Sequence, residues 1–502
     1  MPTPSLGGSV PEAVEDLAAH LRSIDALERA GDVLRWDQET TMPPAGIEAR
    51  AGELSQLAST VHERWTSDET GELIEQARSA AKDDRDRALV READRRRRRR
   101  VRVPDQLVTE ISETTARGQK AWEQAKRDDD FDAFADHLER IVDLKREYAD
   151  AIDPDRDPYE VLLEDFEPYL DLDRALTVVD EMAEGAREIL DEAPDPAEQA
   201  PTDALAGPWP EHEQRALLEE LLDELGYDYE RGVIGEAEHP FSTGNVHDAR
   251  IATNLPEDDL LSGLTSTVHE FGHTQYTQGL PEDAFGTPLG ASRDLVVHES
   301  QSRLWENHVA RSRPFWDEFA KRLSARFETD LDPDTGWRAA NVVQPSPIRV
   351  DADEVSYHLH IKLRVRLERA LVAGDIGVDE LPQRWNDGMD ELLGIRPTDD
   401  ANGVLQDVHW SHGSIGYFPT YTLGSALAAQ ISAAIADEVA PVDELVAEGR
   451  YEAIGDWLHE HVHRHGARYE TGDLIEQATG RPLSAEPFLA HARDRFGRLW
   501  DT

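Results

Sequence analysis

The chain has 502 residues, of which 39% are hydrophobic, which is enough to build a large core and excludes a disordered acidic chain. It carries 104 acidic against 52 basic residues, a formal charge of −52, so we expect nucleic acids and anionic membranes to repel it. It has no cysteine, which excludes disulfides and thiolate chemistry and leaves histidine and carboxylate as the strong metal ligands.

The excess of acid is typical of a protein adapted to high salt. Only six of the 52 basic residues are lysines. Molar salt screens the repulsion between carboxylates within about 3 Å, so the charge keeps the protein hydrated without unfolding it. A haloadapted source is therefore expected. Because residues 1–16 lack a leader pattern and no run of about 18 apolar residues occurs, we also expect a soluble cytoplasmic protein.

From residue 10 to about 148, apolar positions recur at three- and four-residue spacing, which predicts long antiparallel helices interrupted at 42–44 and 67–69. Residues 95–100 are six consecutive arginines. These arginines could bind nucleic acid. Because the chain is so acidic, a helix in which they form ion pairs with neighbouring acidic residues is favoured.

Residues 153–172 are expected to form a structured connection. Two helices are expected near 173–192 and 211–226. The segment between those helices, 193–210, is rich in proline, alanine and aspartate and predicts a long loop.

Short runs punctuated by glycine, at 232–234 and 244–253, predict strands, and helices resume from residue 257. An edge strand of such a small sheet can hold a peptide by backbone hydrogen bonds.

The helix after the strands contains the motif H-E-F-G-H at residues 269–273. An H-E-x-x-H motif places two imidazoles one turn apart, where they bind one metal ion, with a carboxylate between them to act on water. Glu270 is the only charged residue from 260 to 280, so this helix is expected to be buried nearly all round.

The ends and packing of this helix are also predicted. Asn254 is expected to cap its start and Gly279 to end it. Gly272, which costs about 1 kcal/mol inside a helix, predicts that another element packs closely against its turn.

A second H-E-x-x-H match occurs at residues 459–463. Its histidines share a helix face with Glu452, Asp456 and Glu460, and Gly466 is expected to stop the helix. This is the pattern of a solvated helix end, so the match at 269–273 is preferred as the metal site.

A catalytic zinc site takes three protein ligands and one open position. The pattern with a third histidine six residues after His273 fails, because Tyr276 and Gly279 replace its required glycine and histidine. A carboxylate from a later helix is then expected.

The later helix is expected to be capped by Ser292. Glu299, 26 residues beyond His273, has suitable spacing for the third ligand, and His298 and Glu306 remain open.

Several short sequence blocks, taken together, resemble those of the carboxypeptidase Taq family of zinc metallocarboxypeptidases. The similar blocks are H-E-F-G-H at 269–273, H-E-S-Q at 298–301, H-P-F at 239–241, D-A-R-I-A-T at 248–253, I-R-V-D-A-D at 348–353, G-V-L-Q-D-V-H-W at 403–410 and W-D-Q-E-T through M-P at 36–43. The resemblance covers most of the chain. Ala252 and Asn254 depart from it, since threonine and arginine are more usual there.

The resemblance implies that Glu299 is the third ligand and that the cofactor is Zn²⁺, with Co²⁺ as the alternative. It implies peptide substrates, broad specificity that disfavours C-terminal proline, and a homodimer. The expected fold class is mainly α, a large helical metallopeptidase fold with a deep substrate groove and a small β-sheet beside the motif helix. A single domain over 1–502 is expected, with 1–150 covering the groove and 151–502 holding the metal.

The predicted reaction is peptide hydrolysis by metal-activated water, with Glu270 as general base. The developing oxyanion needs a second donor. Tyr417 and Tyr421, and His409 or His412 just upstream, are candidates, although buried tyrosines are often core residues.

An enzyme that acts at the carboxyl end must bind a free carboxylate, for which a guanidinium fork is best suited. Arg349 is the first candidate. The alternative to this substrate-binding role is that Arg349 forms an ion pair with Asp351 or Asp353. Arg250 is the second candidate, and His239, like His412, is assigned to the substrate groove.

Three other functions are weighed against this one. An oligopeptidase or dipeptidase would use the same zinc site. A non-catalytic helical scaffold with a structural metal is disfavoured by the complete ligand set together with Glu270. Nucleic-acid binding through residues 95–100 is disfavoured by the charge of the chain.

Overall fold

A computed structural model describes residues 10–201 and 203–500 of the chain. The leader prediction for residues 1–16 therefore falls partly outside the described residues. The described part is mainly helical and contains one three-stranded sheet, which confirms the predicted class. None of its helices combines the length and the apolar character that crossing a membrane requires.

The predicted amino-terminal helices form, and they break at the two predicted interruptions. They are α1 (Glu12–Thr40), α2 (Ile47–Thr66), α3 (Asp68–Ala80), α4 (Asp84–Arg102), α5 (Asp105–Asp128) and α6 (Asp132–Ile152). Ser67 caps α3, because its hydroxyl oxygen accepts a bond from the Thr70 amide at 3.2 Å. The arginine run lies on α4, where Arg98 pairs with Asp94 at 3.0 Å.

The next helices are α7 (Pro158–Leu163), α8 (Leu172–Glu192), α9 (Pro196–Gln199) and α10 (Glu211–Leu225). The predicted helices α8 and α10 are confirmed within one residue at each end. The described residues of the predicted loop between them form no other helix than the single turn of α9.

Three strands follow α10: β1 (Gly232–Glu236), β2 (Phe241–Asn245) and β3 (Asp248–Thr253). β3 is central, parallel to β1 and antiparallel to β2. The β-structure predicted at 244–253 is confirmed, but it is divided between the end of β2 and all of β3 by a turn. Gly244 at φ 129° and a bond of 3.0 Å from the His247 amide to the Asn245 side chain reverse the chain there.

The remaining helices are α11 (Leu260–Gln278), α12 (Leu295–Arg303), α13 (Arg313–Phe327), α14 (Pro333–Ala339), α15 (Tyr357–Ala373), α16 (Leu381–Leu393), α17 (Pro419–Glu438), α18 (Val442–Ala447), α19 (Tyr451–His461), α20 (Thr471–Thr479) and α21 (Glu486–Trp500). A π-helix at Leu304–Ala310 directly follows α12. α11 packs on β2 and β3, so the small sheet does lie beside the motif helix.

The chain divides into two compact units, each made of three segments. Unit 1 contains the described residues up to Val101, those from Asp203 to Trp337 and those from Ile431 to Arg481, and unit 2 contains the rest. The assignment of residues 1–150 and 151–502 to a covering part and a catalytic part stays a prediction.

Candidate metal centre

The cap of the motif helix α11 lies five residues later than predicted. Asp259, not Asn254, caps it, since its carboxylate accepts the Ser262 amide at 3.0 Å. Asn254 instead lies in the preceding loop and donates to the Glu238 carbonyl at 2.8 Å. Gly279 ends the helix as predicted.

α11 is buried nearly all round, as its lack of charge predicted. Ser262 is its only exposed residue, and the others are buried or half-buried. The close packing predicted at Gly272 is also confirmed, because a Cβ there would lie 2.5 Å from the Cα of Ser302 and 2.6 Å from the carbonyl oxygen of Gln301. Glycine thus lets the backbone of α12 approach α11 at the motif.

α12 is capped by Asp294 and not by the predicted Ser292. The Asp294 carboxylate accepts the Val297 amide at 3.2 Å, and the helix starts at Leu295. The same carboxylate accepts a bond from the Thr471 hydroxyl.

The two imidazoles of α11 and one carboxylate of α12 converge. Glu299 Oε2 lies 3.8 Å from His269 Nε2 and 3.7 Å from His273 Nε2. Within the described part of the chain, these three residues form the one group of histidine and acidic side chains arranged to hold a metal ion. A tetrahedral ion with bonds of 2.0–2.2 Å separates its ligand atoms by about 3.4 Å, so the spacing fits.

The hydrogen bonds behind the histidines fix which nitrogen faces inward. His269 Nδ1 lies 2.9 Å from Glu306 Oε2, and His273 Nδ1 lies 3.1 Å from the His298 carbonyl oxygen. Each Nδ1 therefore carries the hydrogen and donates it, which leaves the Nε2 lone pair for a metal. Two nitrogens and one carboxylate oxygen are a donor set that suits a divalent ion.

The two other candidates for the third ligand lie behind the histidines. Glu306 contacts the outer nitrogen of His269. His298 offers its carbonyl to His273, and its ring packs 4.5 Å from the His273 ring. Burial lowers the pKa of His298 to about 4, so its imidazole is neutral near pH 7.

Sequence reasoning missed Arg303, which joins two carboxylates of this centre. Its Nε donates to Glu299 Oε1 at 2.8 Å and its Nη1 to Glu306 Oε2 at 3.1 Å. Burial would raise the pKa of Glu306, but Arg303 and the bond with His269 outweigh it and lower that pKa to about 2. The spacing of Glu299 and Arg303, four residues apart on one helix, was the available signal.

Glu270 lies between His269 and His273 on α11 and is 8% exposed. Burial raises the pKa of its carboxyl, against the opposing effects of His269 and of a hydrogen bond with the Ser242 side chain on β2. A buried carboxylate of raised pKa is suited to accept a proton.

The second H-E-x-x-H match was predicted to lie on a solvated helix face. This prediction is correct for His459 and wrong for His463. α19 ends at His461, so His463 lies outside the helix and is 1% exposed, whereas His459 is exposed. His463 Nε2 lies 3.0 Å from the Gln301 side-chain oxygen. His463 therefore packs behind α12 and lines a cavity of about 780 Å³, and His269, His273 and Glu299 are not among the residues that line this cavity.

Three of the resembling blocks meet at the sheet of unit 1. Arg250 pairs with Asp248 through two bonds of 2.8 and 2.7 Å, and its guanidinium lies 5.6 Å from the Trp36 ring centre. Trp36 also packs against Phe241 at 5.4 Å between ring centres. His239 is exposed just before β2.

Unit 2 contains the other predicted substrate residues. Arg349 is 7% exposed, and it donates to Asp407 at 2.9 Å and to the Tyr357 hydroxyl at 2.8 Å. The alternative partners, Asp351 and Asp353, were therefore wrong, because the carboxylate that pairs with Arg349 is 58 residues away.

Asp407 also accepts from Arg364 at 2.6 Å. Burial would raise the pKa of Asp407, but the two arginines outweigh it and hold that pKa well below its ordinary value. The carboxylate is therefore ionised, and it holds both guanidinium groups in fixed orientations.

Three of the predicted aromatic and imidazole groups lie together in unit 2. His409 Nε2 lies 3.2 Å from the Tyr421 hydroxyl, and the rings of Tyr417 and Tyr421 are 5.3 Å apart. Arg349 lies over Tyr421, with its guanidinium carbon 5.1 Å from the ring centre. Burial lowers the pKa of His409 to about 4, so it is neutral. His412 is exposed.

Comparison with known proteins gives consistent matches over nearly the whole length of the chain. The chain matches the family model described as Carboxypeptidase Taq (M32) metallopeptidase over residues 16–496. It is 36% identical to Thermostable carboxypeptidase 1 of Thermus thermophilus, over 98% of this chain and 99% of that protein. It is 35% identical to Thermostable carboxypeptidase 1 of Pyrococcus furiosus, over 97% and 98%.

The fold is also similar to solved structures. The crystal structure of the M32 carboxypeptidase from Deinococcus radiodurans R1 matches with a TM-score of 0.94 at 34% identity, over 98% of this chain and 100% of that chain.

Proposed function

Because the chain belongs to the carboxypeptidase Taq (M32) family of metallopeptidases, it is a metallocarboxypeptidase, and we propose that it removes C-terminal amino acids from peptides with Zn²⁺ as cofactor. The observation that carries this proposal is the convergence of His269, His273 and Glu299 beside Glu270. Zinc is preferred because two imidazoles and one carboxylate are a common catalytic zinc donor set, and Co²⁺ is the alternative. When bound, such an ion supplies Lewis-acid polarisation of the scissile carbonyl and a lowered pKa for water.

Glu270 is proposed as the general base. Its carboxylate accepts the proton of the attacking water, holds it within a buried environment, and delivers it to the leaving amine. Burial raises the pKa of its carboxyl above the ordinary value, which makes the carboxylate a better proton acceptor. A hydrogen bond with the Ser242 side chain favours the ionised form of the carboxylate.

Arg349 is proposed to bind the substrate carboxylate, with Arg250 as the second candidate. The bonds to Asp407 and Tyr357 fix the fork of Arg349, which supports a role that depends on orientation. Arg250 is held in the same way by Asp248.

Tyr421 or Tyr417 is proposed to stabilise the oxyanion through its hydroxyl, with His409 as the neutral partner of Tyr421. His239 and His412 are exposed, which is compatible with their proposed contact with substrate. Broad specificity that disfavours C-terminal proline, a homodimer, and a haloadapted cytoplasmic setting complete the proposal.

The test uses a Glu270→Gln variant. We expect it to bind zinc as tightly as the wild type and to cleave peptides about 10²- to 10⁴-fold more slowly. Normal cleavage by a zinc-loaded Glu270→Gln protein would overturn the proposed mechanism. A C-terminally amidated peptide distinguishes a carboxypeptidase from an oligopeptidase. A carboxypeptidase should not cleave this peptide, whereas unchanged cleavage would favour an oligopeptidase.

A further inference from the structure

The two oxygens of Glu299 have different environments. Oε2 faces both imidazoles, at 3.8 and 3.7 Å from the Nε2 atoms of His269 and His273. Oε1 accepts a hydrogen bond of 2.8 Å from Arg303 Nε. One oxygen is thus directed at the metal ligands, and the other is already occupied by a cation.

The same guanidinium reaches the carboxylate behind the first ligand. Arg303 Nη1 donates at 3.1 Å to Glu306 Oε2, which also accepts the His269 Nδ1 hydrogen at 2.9 Å. The side chains of Glu299, Arg303 and Glu306 are only 10%, 15% and 11% exposed, so water screens these charges weakly. The rigid guanidinium group of Arg303 therefore links Glu299, the proposed third ligand, to Glu306, the carboxylate that orients His269.

This arrangement matters because a carboxylate can bind a metal through one oxygen or through both. A catalytic zinc site needs three ligand atoms and one open position, and a carboxylate that binds through both oxygens fills that position. Binding through both would require Oε1 to leave Arg303, which breaks a charge-assisted bond in a largely buried site.

We propose that Arg303 is a positioning residue that restricts Glu299 to a single-oxygen contact with the metal and so keeps a coordination position open. This inference rests on the proposed metal site at His269, His273 and Glu299. It assigns to Arg303 no contact with substrate or with the reacting atoms.

A simpler role is that Arg303 only neutralises the two carboxylates. Arg303→Lys separates the two roles, because lysine keeps the charge but lacks the planar fork that reaches both Glu299 and Glu306. Arg311→Lys is the matched control. Arg311 directly follows the π-helix, and its Nη2 lies 3.8 Å from Glu306 Oε1.

The experiment measures the visible spectrum of the Co²⁺-loaded proteins, whose bands lose intensity as the coordination number rises. We expect the wild type and Arg311→Lys to give the intense bands of low coordination. Arg303→Lys and Arg303→Gln should lose several-fold in intensity, with metal affinity reduced about 10- to 100-fold. Zinc-edge X-ray absorption should count one more oxygen neighbour in both Arg303 variants.

Weaker metal binding with an unchanged spectrum would overturn the proposal, because it would leave Arg303 a charge-balancing role only. Rescue of the spectrum by lysine would overturn it as well. A wild type that gives no Co²⁺ spectrum sensitive to Glu299→Gln would instead overturn the proposed metal site. Circular dichroism of each variant confirms that it is folded before loading.

Discussion

Gly272 of α11 and Ser302 of α12 meet backbone to backbone, since a Cβ on Gly272 would lie 2.5 Å from the Cα of Ser302. Gly272→Ala must push the two helices apart, and each helix carries at least one of the proposed metal ligands. We expect a loss of at least about 1–3 kcal/mol in the free energy of unfolding, measured in urea, together with weaker metal binding.

Gly52→Ala is the control for this substitution. Gly52 lies in the exposed part of α2, and a Cβ there would meet nothing within 4 Å. Alanine should stabilise the protein by up to about 1 kcal/mol through helix propensity alone. Equal effects at the two glycines would contradict the packing argument.

Removal of the metal should destabilise the folded protein without unfolding it. A ligand that binds only the folded state, present at about 1,000 times its dissociation constant, adds about 4 kcal/mol to the free energy of unfolding. Chelation should therefore lower the melting temperature, and Glu299→Gln should abolish most of the dependence on added metal. A melting curve that is insensitive to chelator would contradict a metal at this site.

The second motif should contribute to stability and not to metal content. His463→Ala leaves the buried Gln301 oxygen without its donor, which should cost about 1–3 kcal/mol. His459→Ala is the exposed control and should change stability by less than about 0.5 kcal/mol. Atomic absorption should give the same metal-to-protein ratio for both variants, and loss of metal in His459→Ala would contradict this assignment.

Glu368 should give unit 2 a pH-dependent stability. Its carboxylate is fully buried and accepts bonds of 3.0 Å from the Tyr159 hydroxyl, the Trp410 indole and the Gly416 amide. Burial raises its pKa to about 7, from an ordinary value of 4.5. Between these values the folded state binds more protons than the unfolded state, so this contribution to stability falls as pH rises and is constant above about pH 7.

The size of this effect is about 3 kcal/mol across the window, from 1.36 kcal/mol per pKa unit. Chemical unfolding between pH 4.5 and 8 should show the decline in the wild type and its absence in Glu368→Gln. Glu181→Gln, at an exposed position of α8, should keep the wild-type profile. Parallel profiles for Glu368→Gln and the wild type would contradict the raised pKa.

Salt should stabilise the protein strongly. Raising the ionic strength from about 0.1 M to 1 M shortens the Debye length from about 10 Å to about 3 Å, which weakens the repulsion among the 52 excess acidic charges. The melting temperature in potassium chloride should therefore rise over this range. A melting temperature that is constant or falls with salt would contradict the proposed halophilic adaptation.

The features predicted correctly depend on local patterns. Apolar spacing predicted the long helices, and the uncharged run around Glu270 predicted a buried helix. The glycine at 272 predicted a close neighbour, because only a tight approach favours glycine over alanine inside a helix.

The errors arose where several local candidates compete or where the partner is distant. Asn254 and Asp259 are both good caps, and only the tertiary position of the loop selects the later one. The burial of His463 follows from a helix that ends two residues earlier than its periodicity suggests. Arg349 pairs with Asp407, a contact across 58 residues that no local pattern reveals.

The interleaving of the two units has a consequence for synthesis on the ribosome. The chain passes between the units five times, so neither unit exists as a continuous stretch that can fold when it emerges. Gln301 is synthesised 162 residues before its partner His463. At about 5–20 residues per second, the delay between the two residues is about 8–30 s. During that interval Gln301 lacks this partner, and we expect the nascent chain to depend on a chaperone to avoid aggregation.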